Sequence, residues 1–184
     1  MTKYLSIPFA SVIAVLLLFY FPLQSTYEQQ DQMAYNLSYN AVTNFVDSVR
    51  NKGYISPMMY NDFTRELGAT NNLFEIKMEH KSKRYNPIYK DPTDEATFMG
   101  TAEVYYDAVY QETILATLFP DNGVSDFDPS RKYYFKEGDF FTVTVRNTNT
   151  TKAKLLSDFL TNGSSVDPTR IDIPYGGIIN NEDY

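Results

Sequence analysis

The chain of 184 residues has no cysteine, no tryptophan and a single histidine, His80. Without cysteine there are no disulfide scaffolds, thiolate zinc sites, iron–sulfur clusters or cysteine nucleophiles. One histidine leaves little material for a His-based triad or a multi-His metal site. Cations are also sparse. Lys and Arg total 16 against 23 Asp and Glu, a net charge of −7, so the chain lacks the basic field that gathers phosphate backbones and nucleic acid is not an expected partner. No Gly-x-Ser-x-Gly elbow surrounds a serine, and no glycine-rich loop is placed to cradle a phosphate. These absences argue against an enzyme, a cofactor or a small-molecule substrate. Asp121 to Asp128 does concentrate oxygen donors. It lacks EF-hand spacing, and both a calcium loop and a turn whose Asp and Asn side chains bond their own backbone stay open.

What the chain does have is aromatic bulk and one long apolar run. Its 16 Tyr and 13 Phe, with 43% apolar residues overall, suffice for a packed core. From Leu5 to Leu23 there is no charged residue. At about 1.5 Å per residue this run matches the roughly 30 Å hydrocarbon core of a bilayer. The competing reading is a cleaved signal peptide with Lys3 and the apolar stretch Val12 to Phe21. The following Pro22-Leu23-Gln24-Ser25-Thr26 lacks the small-x-small pattern of a cleavage site, so a retained anchor is expected. Lys3 precedes the run, whereas Glu28 and Asp31 follow it. The positive-inside bias then puts the N-terminus in the cytoplasm and the C-terminal domain outside the cell, with membrane lipid as one partner.

Beyond the anchor (residues 1–24), Met33, Leu37, Ala41, Phe45 and Val49 recur every fourth residue, and Val42 and Val46 widen the stripe. This predicts an amphipathic helix over residues 25–53, continuous with the anchor unless Pro22 stops it, and ended by Gly53. Its distal half is expected to pack on the exterior domain, residues 54–184. There, Ser56-Pro57 opens a short helix closed by Gly68. Phe74, Ile76 and Met78 alternate as a strand, with His80 at its end, and Lys81 to Asp94 reads as a loop. Val109 to Phe119 reads as helix, Asp139 to Asn147 as the clearest strand, and Thr151 to Leu160 as helix. Arg170 to Tyr175, Gly176-Gly177 and Ile178 to Glu182 read as a hairpin. The fold class is thus α+β: a single N-terminal transmembrane helix continuing into an amphipathic helix, then a small antiparallel-sheet domain of three to five strands with short helices.

This order of elements resembles the architecture of type IV pilins and pseudopilins. Local wording extends the resemblance to small membrane-anchored pilin-like proteins of tight-adherence (Tad) pilus systems: Phe45-Val46-Asp47-Ser48-Val49-Arg50-Asn51-Lys52-Gly53-Tyr54-Ile55-Ser56, then Tyr134-Phe135 with Glu137-Gly138-Asp139-Phe140-Phe141, and Tyr175-Gly176-Gly177-Ile178-Ile179-Asn180-Asn181-Glu182. The resemblance implies a structural, non-catalytic component that assembles by helix packing with other pilin or pilus-assembly subunits. The run Leu5 to Leu23 has neither the glycine nor the glutamate of a typical prepilin, which points to an accessory or minor subunit. The expected membrane and assembly face comprises Ser6, Ala10, Ser11 and Ala14, whose small side chains permit close helix approach, with Met33, Leu37, Ala41 and Phe45 farther along. A single-span surface module that binds or senses a ligand is the alternative. Protease added to wall-stripped cells is expected to degrade the domain while the membrane retains a short N-terminal fragment; a soluble domain beginning near Ser25 would contradict this.

Overall fold

The computed structural model describes residues 2–161, 163 and 171–181, residues 2–7 by their backbone alone. Helix α1 runs unbroken over Thr2–Lys52, with Pro8 and Pro22 inside it. At about 1.5 Å per residue it is about 76 Å long. Each proline removes one ladder hydrogen bond. Serving nearby carbonyls, the Ser11 hydroxyl donates to Pro8 O (2.8 Å) and the Thr26 hydroxyl to Pro22 O (2.8 Å). The helix stops where Gly53 takes φ 73°, its N–H donating to Val49 O.

Strand β1 (Tyr54–Ile55) leads into α2 (Pro57–Gly68), whose first turn is capped by the Ser56 hydroxyl accepting from Met59 N. Then come β2 (Phe74–Tyr89), β3 (Phe98–Tyr110), α3 (Gln111–Leu118), β4 (Tyr133–Tyr134), β5 (Phe140–Asn147), α4 (Lys152–Thr161) and β6 (Asp172–Ile178). The order β3-β2-β5-β6 makes one antiparallel sheet, and β1 pairs with β4 apart from it. The architecture is α+β, a long apolar N-terminal helix followed by a small antiparallel-sheet domain with short helices.

Two expectations are corrected. Lys81 to Asp94 is not all loop: β2 continues to Tyr89 because β3 pairs along it as far as Tyr89↔Phe98. Beyond Lys81, β5 no longer accompanies β2, and the open edge tolerates Pro87. The paired strands form a two-stranded arm, with a register shift between Pro87 and Tyr89 and a positive φ of 72° at Gly100 inside β3. Nor is Gly176-Gly177 a hairpin turn. β6 runs straight through both, pairing with β5 from Arg146↔Asp172 to Phe140↔Ile178. The glycines permit close approach: a Cβ on Gly176 would lie 2.7 Å from Phe141 O, and one on Gly177 2.6 Å from Arg50 Nε. Of the expected second strand, Ile178 ends β6, Ile179 to Asn181 form no strand, and Glu182 lies outside the described residues.

The core lies between the distal half of α1, α2 and the sheet. Val42, Val46 and Val49 of α1 are buried with Phe63 and Leu67 of α2, Met78 of β2, Val143 and Val145 of β5 and Ile173 of β6. At its centre Phe45 stacks on Phe63 with centroids 4.4 Å apart and meets Phe141 edge-on at 6.3 Å. Phe45→Ala should destabilise the fold by about 3–5 kcal/mol, whereas Thr144→Ala on the half-exposed face should change it by less than about 0.5 kcal/mol. Denaturant unfolding of the full chain in detergent, followed by near-UV circular dichroism, measures both.

Candidate membrane and assembly surface

Residues 8–19 of α1 are exposed all round, with Leu18 and Phe19 73% and 75% accessible. Among the described residues α1 is the one helix long and apolar enough to cross a membrane; its most apolar stretch has a mean hydropathy of 1.7 and none of it is buried. On this segment Ala10, Ser11 and Ala14 are exposed. Ala10 and Ala14 lie about 40° apart around the helix and Ser11 about 60° beyond Ala14, so all three share one side. The Ser11 proton is already given to Pro8 O, which leaves only acceptor capacity there. The Ser6 side chain lies outside the described residues.

The distal four positions separate. Ala41 (3%) and Phe45 (5%) belong to the chain's own core, whereas Met33 (62%) and Leu37 (56%) face outward. A strict four-residue row turns about 40° per step around a 3.6-residue helix, so its N-terminal end rotates off the sheet. The positions buried there instead are Ala34 and Ser38. Tyr35 and Tyr39, stacked at 6.4 Å, add to the exposed surface. Met33 and Leu37 line a groove of about 480 Å³, closed on its other sides by Ala69 to Asn72 and Asn149 to Lys152.

The exposed helix is held rigidly to the domain at its far end. Arg50 donates from Nε to Ile178 O (2.9 Å) and pairs with Asp47 (2.8 Å), and the Tyr175 hydroxyl donates to the same carboxylate (3.3 Å). Asn180 N closes the contact on Arg50 O (2.9 Å).

A buried polar network was not legible in the sequence. His80 Nε2 lies 2.8 Å from Asp139 Oδ2 and Nδ1 lies 2.8 Å from the Tyr133 hydroxyl, while Asp139 also accepts from Lys83 N (2.9 Å) and Lys136 N (3.0 Å). Neutral His80 protonated on Nε2 uses every atom, donating to Asp139 and accepting from Tyr133. Phe135 packs edge-on against the imidazole at 4.6 Å. Burial, seconded by the Asp139 charge, pushes the Tyr133 hydroxyl up to about 12. Burial alone would raise Asp139, yet the Lys136 and Lys83 amides and His80 together hold it below the ordinary carboxylate range. The only sequence signal was Asp139 abutting the start of β5, with His80 on the apolar face of β2. The network ties β2, β4 and β5 together, its polar atoms are satisfied within the chain, and its residues line neither the groove nor the smaller cavity of about 210 Å³ between α1 and α2.

In the Asp121 to Asp128 segment, Asn122 accepts from Val124 N, Asp128 caps Ser130 N and Asp126 pairs with Arg131. These three side chains thus bond within the chain, and no group of three His, Asp or Glu suited to a metal occurs among the described residues. No family model, curated protein or solved structure matches the chain.

Because the folded pKa of Asp139 is depressed, its stabilisation is complete above the unfolded value of about 3.9 and is lost as pH falls through the lower folded value. Asp139→Asn should therefore destabilise the neutral-pH fold by about 1–3 kcal/mol and flatten the stability profile in that acidic window. Equilibrium unfolding of both proteins across the window checks it.

Proposed function

We propose that the chain is a membrane-anchored structural subunit of the cell envelope, an accessory pilin-like component of a tight-adherence type assembly with its domain outside the cell. The observation that carries this reading is the continuity of α1. One rod offers an apolar, charge-free run of bilayer length whose residues 8–19 are exposed all round, then an outward row of Met33 and Leu37, then the core of the domain. In a bilayer, helices associate by close packing rather than by hydrophobic exclusion, and Ala10 and Ala14 supply a small-residue strip for a partner backbone. Met33 and Leu37 extend that contact outside the lipid.

The absence of cysteine makes the test clean. Single-cysteine variants Met33→Cys and Leu37→Cys should crosslink to a partner helix in cells, and Val46→Cys, fully buried, should not. The double variant A10L/A14L should insert normally yet lose co-purifying partners; unchanged recovery at equal abundance would sink the assembly role.

The β2–β3 arm favours a second reading, a single-span surface binding module. Tyr85, Val104 and Tyr106 share its outward face, and β3 presents an unpaired edge. Replacing Tyr85 and Tyr106 by Ser should leave crosslinking through α1 intact under the first reading and abolish surface binding under the second.

A further inference from the structure

We propose that α4 is a second membrane contact, lying beside α1 at the lipid–water boundary with Leu155, Phe159 and Leu160 among the headgroups and upper acyl chains. This rests on the reading of α1 as a bilayer anchor.

The first observation is the exposure of α4. Leu155, Phe159 and Leu160 are 58%, 82% and 55% accessible, and Phe159 is barer than Leu18 and Phe19 of the membrane-length run, at 73% and 75%. On a helix they span an arc of about 140°, while Ala153 is the residue α4 buries. A short helix with such a face and a polar opposite side suits the boundary of a bilayer. Its Lys154 and Asp158 pair with each other at 2.8 Å, so they reach that boundary as a neutral pair.

The second observation is depth. Asn149 to Lys152 border the groove beside Gln30 to Leu37, and the Lys152 ammonium lies 5.9 Å from the centre of the Tyr27 ring, one turn beyond Leu23. Tyr20, Gln24, Tyr27 and Asp31 are half-buried at steps of four, three and four, a single strip that leads into buried Ala34 and Ser38. Gln24 Oε1 is wholly shielded, although residues 8–19 are bare. The ten residues of α4 cover about 15 Å, the rise of ten residues of α1. Running from Asp31 back along the half-buried strip, α4 would reach the level of Tyr20 and Phe21, inside the apolar run. Leu155, Phe159 and Leu160 thus continue the lipid-facing surface of α1 outward at the depth where aromatic side chains favour the interface.

The lack of native tryptophan gives a direct probe. The full-length variants F159W, V15W and M58W are reconstituted in phosphatidylcholine–phosphatidylglycerol vesicles, with bromine placed shallow or deep in the acyl chains. Val15 lies mid-run, and Met58 is exposed in α2 near the opposite end of α1. F159W should emit to the blue of M58W and be quenched more by shallow than by deep bromine, with V15W quenched by deep bromine and M58W by neither. An unquenched, red-shifted F159W beside a quenched V15W overturns the proposal and leaves the anchor standing. A blue-shifted but unquenched F159W overturns it too, because a protein surface then covers α4. An unquenched V15W defeats the anchor reading itself, and the proposal with it.

Discussion

One continuous helix, from Thr2 to Lys52, is the constraint on which the rest of the molecule depends. Residues 8–19 of α1 are exposed all round, while the distal half supplies Val42, Phe45, Val46 and Val49 to the centre of the domain. An α-helix satisfies its own backbone in any solvent, so the same element can serve a water-free surface and a protein core without a break. Pro22, at the junction, removes one bond of the ladder and leaves the rod continuous. The domain therefore has no independent orientation: Arg50, Asp47 and Tyr175 lock β6 to the helix end, and the sheet follows.

What was legible in the sequence is what local chemistry dictates. The apolar run, the Ser56 cap, the Gly53 stop, the alternation in β5 and the helix after Thr151 all depend on near neighbours, and all appear close to where the residues place them. What was not legible depends on distant partners. β2 extends through Asn86-Pro87 because β3 pairs with it. Gly176 and Gly177 look like a turn until Phe141 and Arg50 occupy the space a Cβ would need. Of the residues expected to form an assembly face, the exposure of Ala10, Ser11 and Ala14 followed from composition, but the division between Met33 with Leu37 and Ala41 with Phe45 required knowing where the sheet sits.

The polar network shows a different economy. His80 and Asp139 are almost fully buried, and an ionised group there is favourable only when every remaining donor and acceptor is met. Asp139 meets that condition by drawing on the Lys136 amide beside it and on both the Lys83 amide and the His80 imidazole of β2. A one-residue slip of β2 against β5 would turn His80 to the opposite face of the sheet and leave the carboxylate without its imidazole partner. The group is thus better suited to fixing strand register than to adding net stability.

The glycine at position 100 bears on a hazard of crowding. β6 is shielded by α1, but β3 leaves a thirteen-residue edge uncovered, the kind of edge that zips onto a neighbour. For a chain tethered as proposed, diffusion is confined to two dimensions and all copies stand the same way up, so like edges meet far more often than in solution. A left-handed residue inside the strand, facing the register shift at Pro87, distorts the ladder near the arm's tip and denies an incoming strand a regular template there. Glu103 farther along adds like-charge repulsion between copies. The arm can thus remain long and aromatic on a crowded surface without turning its bearers into a two-dimensional aggregate.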